Sequence, residues 1–165
     1  MMDGALTGKT GFTGKAGYCY TGALKRDGRT YVVALLACGW PNHKTYKWSD
    51  TRALMEYGLS SYQYHDLMQE SVPKEALAAV RVCNGQTSQI GETACMQIEA
   101  KEDEHSTEGI LMRKDEWVDV RVIKQQELMA PVSKGEVIGE VGYFVGDEEW
   151  RHIELTAGQD IMAVD

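Results

Sequence analysis

Lys9-Thr10-Gly11 sits at the centre of Thr7-Gly8-Lys9-Thr10-Gly11-Phe12-Thr13-Gly14-Lys15-Ala16-Gly17, which gathers cations, hydroxyls and glycines within eleven residues. One chemistry open to such residues is phosphate binding. Gly8-Lys9-Thr10 matches the end of the P-loop, whose backbone N–H groups cradle phosphate while the lysine supplies charge. That motif needs a glycine at position 3, where the chain has Asp3, and a buried strand ahead of it, for which two residues leave no room. Phosphate binding is therefore set aside. Standing alone, the triplet also fits an exposed strand lysine, its commonest setting in unrelated chains. No other residues assemble a competing centre. Cys19, Cys38, Cys83 and Cys95 show no Cys-x-x-Cys spacing, and no histidine completes a zinc-like cluster, so neither metal nor cofactor is expected. His43, His65, His105 and His152 are scattered, without a carboxylate at catalytic spacing, and read as surface or capping residues.

The elements that must position Lys9 follow directly. Residues 17 to 26 and 29 to 39 are two β-prone runs joined by Asp27-Gly28, a dipeptide suited to the two φ > 0 positions of a two-residue hairpin. The second run, Tyr31-Val32-Val33-Ala34-Leu35-Leu36-Ala37-Cys38, lacks polar alternation and is expected to be covered on both faces. Pairing Arg26 with Arg29 puts Cys19 opposite Leu36 and only diagonal to Cys38, so two free thiols are expected there. Ser49 or Asp50 is expected to cap a helix through Ala53, Leu54, Met55 and Tyr57, with Gly58 as its exit. That helix covers one sheet face at most.

From residue 60 onward, β-prone runs recur between turn signals: Ala79 to Cys83, Ala94 to Ile98, Glu108 to Met112, Trp117 to Ile123, Glu136 to Val145 and His152 to Thr156. This rhythm predicts a small sandwich or barrel. The imperfect phase of Trp117 and Val120 fits a bulge or an edge strand. Lys101 to Glu104 reads as a solvated loop, and Lys134 as part of a tight Lys-Gly turn.

The chain has 165 residues, 43% of them apolar and three of them proline, enough to bury a core. Residues 1–59 carry 8 basic and 4 acidic side chains, residues 60–165 carry 9 and 21, and this shift predicts a boundary near residue 60. The net charge of -8 argues against nucleic acid and anionic membrane partners. No apolar run spans a bilayer, and Met1-Met2-Asp3-Gly4 lacks the marks of a signal peptide.

The stretch Asp3 to Thr13 with Lys15-Ala16-Gly17-Tyr18 resembles the low-molecular-mass D-alanyl-D-alanine carboxypeptidases, serine peptidases that interact with penicillin, in which such a strand and turn lead into just such a hairpin. Trp48 to Leu59 resembles that family's closing helix. Glu127-Leu128-Met129-Ala130-Pro131 and Lys134-Gly135-Glu136-Val137-Ile138-Gly139 resemble the β-rich domain that follows its catalytic domain. Nearly the whole chain is covered, residues 60 to 125 in pattern only.

The resemblance implies a role for each matching residue. Lys9 would place positive charge beside a serine nucleophile and the substrate carboxylate, and Thr10 would hydrogen-bond that carboxylate. Gly11 would leave room for the nucleophile-bearing element, the backbone N–H of Phe12 would donate to an oxyanion hole, and Thr13 would contact substrate. The family also uses a Ser-x-x-Lys and a Ser-x-Asn, both upstream of this triplet. No serine stands ahead of Lys9, and the chain is expected to lack both elements, to start after the nucleophile, and to carry no membrane anchor before Asp165.

The fold expected is mainly β: residues 1–59 form a partial α/β catalytic-domain fragment of antiparallel strands plus one helix, and residues 60–165 an all-β, sandwich-like C-terminal domain. The function implied is that of the C-terminal portion of a serine-type carboxypeptidase acting on peptidoglycan, inactive as this chain. The parent would lie outside the cytoplasm at the bacterial envelope, with stem peptides or β-lactams as its partners. The other reading is a non-enzymatic spacer or interaction module with a vestigial front segment. Either way, the uncovered strand within residues 29–39 is expected to drive homo-oligomer formation.

Overall fold

The computed structural model describes residues 2–89, 91–102 and 108–164. Contacts divide the chain into two compact units, Met1–Tyr64 with Leu111–Lys114, and His65–Ile110 with Asp115–Asp165. The architecture is mainly β with one substantial helix, as the sequence predicts.

In the first unit, β1 (Ala5–Thr13), β2 (Gly17–Arg26) and β3 (Arg29–Leu35) form an antiparallel sheet in that order. Asp27 and Gly28 take φ of 53° and 74°, which fixes Arg26 opposite Arg29 as expected. The strand at β3 stops at Leu35, short of the predicted 39, because Ala37 adopts φ 53° and breaks the ladder. All four cysteines are unpaired.

α1 (Tyr46–Ser61) begins ahead of the expected cap. The Ser49 hydroxyl bonds back to the Tyr46 carbonyl at 2.9 Å, so it does not serve the first-turn amides. Gly58 lies within the helix rather than at its exit, for a packing reason. The Tyr31 ring occupies the space beside it, so that a Cβ there would stand 2.9 Å from the ring, and the Tyr31 hydroxyl donates to the Gly58 carbonyl at 2.9 Å. The last turn is closed by the Arg29 guanidinium, which donates to the carbonyls of Leu59 at 3.0 Å and Tyr62 at 2.5 Å, groups the helix leaves unpaired.

Leu24, Val33 and Met55 form the core between α1 and the sheet, with Tyr20, Tyr31, Leu35 and Leu59 against them. The expectation that β3 is covered on both faces is corrected. Val33 is 6% exposed on the helix side, whereas Val32 is 71% exposed and Leu36, just past the strand, 82%. The missing polar alternation in β3 is therefore an apolar surface and not a buried strand.

After β4 (Tyr62–Asp66) come β5 (Val80–Cys83), β6 (Ala94–Met96), β7 (Ile98–Glu102), β8 (Gly109–Arg113), β9 (Asp119–Lys124), β10 (Glu127–Met129), β11 (Val137–Val145) and β12 (Glu148–Ala157). Two sheets, ordered β10-β5-β6 and β7-β12-β11-β9, share one core that includes Val82, Met96, Leu128, Val141, Tyr143, Ile153 and Leu155; β4 pairs with β8. β9 is an edge strand, which accounts for the imperfect phase near Trp117. In the charged run from Lys101 to Glu104, Lys101 and Glu102 belong to β7 and the rest lies outside the described residues. Lys134 is in a turn, its backbone N–H bound to Asp160 at 2.7 Å.

Two cations gather loop carbonyls onto this core. The Lys124 ammonium donates to the carbonyls of Glu75, Ala76 and Ala78 at 2.6, 3.2 and 2.9 Å. Arg151, 4% exposed, donates to the carbonyls of Leu67 at 2.7 Å and Glu70 at 2.8 Å, pairs with the Glu102 carboxylate, and lies 4.6 Å from the centre of the Tyr143 ring. The hydrogen bond to Glu102 raises the guanidinium above its ordinary range, and burial pushes the Tyr143 phenol up.

Replacing Arg151 strands a carboxylate and two carbonyls at once. Arg151→Met should cost about 2–4 kcal/mol, read as a lower urea midpoint at unchanged slope. An unshifted midpoint would mean that solvent satisfies those acceptors equally well.

Candidate functional site

Lys9-Thr10-Gly11 lies in the middle of β1, the edge strand of its sheet, exposed along its whole length. The register sets Lys9 opposite Thr21, Thr10 opposite Tyr20, Gly11 opposite Cys19, Phe12 opposite Tyr18 and Thr13 opposite Gly17. Strand alternation then puts Lys9, Gly11 and Thr13 on the face away from α1, and Thr10 and Phe12 on the helix side.

The five predicted site residues therefore share one strand but divide between its faces. Phe12 packs on Tyr18, ring centroids 4.6 Å apart, so its side chain has a packing partner. The Thr13 hydroxyl accepts the Ala16 N–H at 3.0 Å and so helps close the turn into β2. At Gly11, a Cβ would meet nothing within 4 Å. The open ground above Lys9 and Gly11 is what a second element would need in order to come close.

On the helix side, a cavity of about 620 Å³ is lined by Thr10, Tyr20, Trp48, Arg52 and Met55, among others. Its shape comes from two facing glycines. Gly8 is paired with Gly22, and a Cβ on either would collide with the Tyr20 ring, which meets Trp48 edge-on at 5.1 Å. Tyr20, Trp48 and Arg52 were not foreseen as neighbours of the triplet. The signal that points to them is a pair of glycines inside strand-like sequence, which marks close approach of another group.

The remaining candidates do not join a centre. The expectation that no Ser-x-x-Lys occurs is corrected by Ser71-Val72-Pro73-Lys74, which lies in the second unit. Residues 71–73 are not helical, Pro73 interrupts them, and the Ser71 carbonyl accepts from the Tyr143 hydroxyl at 3.4 Å. The two side chains thus lack the shared helix face that a one-turn spacing supplies. His43 stacks on Tyr46, His65 meets Glu70 at 2.9 Å, and His152 meets Glu149 at 3.1 Å; His105 lies outside the described residues. Among the described residues no metal-binding cluster of His, Cys, Asp or Glu occurs. A hydrogen bond to Glu127 raises the Cys83 thiol above its usual range, which lowers its thiolate content. No described helix is long and apolar enough to cross a membrane.

Residues 79–163 match the family model described as "Penicillin-binding protein 5, C-terminal domain". The chain is 24% identical over 136 residues to the D-alanyl-D-alanine carboxypeptidase DacF of Bacillus subtilis (strain 168), covering 79% of this chain and 30% of that protein. It aligns with the crystal structure of the D-alanyl-D-alanine carboxypeptidase DacD from Francisella tularensis at a TM-score of 0.56 and 21% identity, covering 98% of this chain and 37% of that one, a likeness of fold. This chain thus spans about a third of the length of either protein.

The two kinds of glycine in the front sheet should respond differently to one methyl group. Gly11→Ala is expected to leave thermal stability within about 0.5 kcal/mol of the parent, whereas Gly22→Ala should lose about 1–3 kcal/mol by displacing Tyr20. Differential scanning fluorimetry reads the stability, and near-ultraviolet circular dichroism reads the Tyr20–Trp48 contact; equal responses at the two positions would contradict the packing described.

Proposed function

Because this chain belongs to the family of penicillin-binding protein 5 C-terminal domains, we propose that it is the C-terminal portion of a serine-type D-Ala-D-Ala carboxypeptidase. Residues 1–59 are the last strands and closing helix of the catalytic domain, and residues 60–165 the all-β domain that follows. The observation that carries this reading is the edge strand with Lys9 and Gly11 on one open face, where Gly11 has no neighbour within 4 Å.

In the full-length parent, a serine hydroxyl attacks the carbonyl of the penultimate D-Ala of a peptidoglycan stem peptide, terminal D-Ala leaves as the amine, and water releases the acyl group from the serine. The Lys9 ammonium steadies the developing negative charge and the substrate carboxylate, and Thr10 hydrogen-bonds that carboxylate. Gly11 lets the nucleophile-bearing element approach, the Phe12 N–H serves the oxyanion, and Thr13 contacts substrate. A β-lactam acylates the same serine. The parent works outside the cytoplasm at the cell envelope, and this chain assembles with further copies through residues 29–39. One observation favours the non-enzymatic reading for the chain as it stands: its single Ser-x-x-Lys spacing is not on a helix.

Fluorescent penicillin separates the two readings. The 165-residue chain should take no covalent label, since nucleophile and lysine act as a unit. A full-length parent should label, and Lys9→Ala within it should slow acylation by about 10² or more. Normal acylation of that variant would remove Lys9 from the site, and a labelled band from the 165-residue chain would overturn its inactivity.

A further inference from the structure

Phe12 stands in the next-to-last pair of β1, just before an exposed turn, where backbone order depends on little but the ladder. The direction of its N–H follows from Tyr18. The Tyr18 N–H donates to the Gly39 carbonyl and the Tyr18 carbonyl accepts the Cys38 N–H, both at 2.8 Å, so both backbone groups of Tyr18 point away from β1. Phe12, paired with Tyr18 in the register, is therefore at a non-hydrogen-bonded pair, and its N–H points outward from the sheet edge. No ladder bond of its own holds it there.

The hold comes from beyond β3. Ala37 at φ 53° and Gly39 at φ 110° turn the chain out of the β3 ladder and back toward the β1–β2 turn, on which residues 38–40 close. The Cys38 thiol adds a bond to the Tyr18 carbonyl at 3.0 Å. The Trp40 indole N–H donates to the Gly14 carbonyl at the tip of the turn, at 3.3 Å. Its ring lies against Gly17, where a Cβ would stand 3.1 Å from the indole and 2.8 Å from the Gly39 carbonyl. Gly17 is accordingly buried, although residues 14–16 are exposed. Trp40 is itself anchored, since its carbonyl accepts the His43 N–H at 2.7 Å in a 3₁₀ turn that Pro41 opens.

On the reading that the Phe12 N–H serves the oxyanion, we infer that Trp40 is a positioning residue for acylation: it braces the turn between β1 and β2 and thereby fixes where that N–H points. A donor of this kind must be held to within about 0.5 Å, and a misplacement of about 1 Å is enough to lose about 10²-fold in rate. The brace is built wholly from residues 12–43, so it operates whatever element presents the serine.

The test uses a full-length parent and the concentration dependence of acylation by fluorescent penicillin, which separates the saturating rate constant from the half-saturating concentration. Trp40→Phe keeps a ring against Gly17 and removes the bond to Gly14; it should slow the saturating step about 2–5-fold, and Trp40→Ala about 10-fold or more, with half-saturation unchanged in both. In the 165-residue chain, Trp40→Ala should speed hydrogen exchange at the Tyr18 amide while the Val33 amide keeps its protection. Lys9→Ala in the same parent reports separately on the site. If Lys9→Ala slows acylation and both Trp40 variants match the parent, the brace is overturned and the site stands; if Lys9→Ala acylates normally, both fall. A Trp40→Phe variant that raises only the half-saturating concentration, or an unchanged Tyr18 amide in Trp40→Ala, would also overturn the inference.

Discussion

A three-stranded sheet in water cannot hold itself flat and ordered without an apolar cover on at least one face, and in the first unit α1 supplies that cover through a very small core. Three buried side chains, Leu24, Val33 and Met55, meet there, and the Gly58–Tyr31 contact sets how closely helix and sheet approach. The placement of the Lys9 strand follows from this contact. β1 is joined to the helix through its pairing with β2 and through the Tyr20 ring, which meets Trp48 of α1, so a shift of α1 is passed on to the lysine strand.

The second unit solves a different problem. Its strands alternate well enough to build a core, but the loops that cross that core carry carbonyls with no ladder to join. Arg151 and Lys124 collect five of these acceptors between them, Lys124 with its ammonium and Arg151 with one guanidinium nitrogen while the others hold the Glu102 carboxylate. That use of charge makes these basic residues structural, while Lys9 on β1 has no such carbonyl partner among the described residues and stays exposed.

Much of this was legible in the chain. Asp27-Gly28 fixed the hairpin and its register because only such a pair takes two positive φ angles cheaply, and the recurring β-prone runs foretold the second unit. Other features lay outside local pattern. The start of α1 escaped because its first turn is not capped by a side chain, and Gly58 was read as an exit because nothing local reveals that Tyr31 needs its space. β10 escaped because three residues show no period and its parallel partner β5 is more than forty residues away. At the site, the motif residues were evident by type, but their division between two faces and the aromatic wall behind them depend on contacts across strands.

Gly8, Gly22 and Tyr20 bring a constraint of another kind. One aromatic ring lies over two paired strand positions and excludes a side chain from both, so the three residues behave as one unit of inheritance rather than three. A larger residue can enter at position 8 or 22 only once the ring at 20 has been lost, and after such a loss the glycines are no longer required. In aligned relatives, those positions should change together, and the order of the changes should run from the aromatic residue to the glycines.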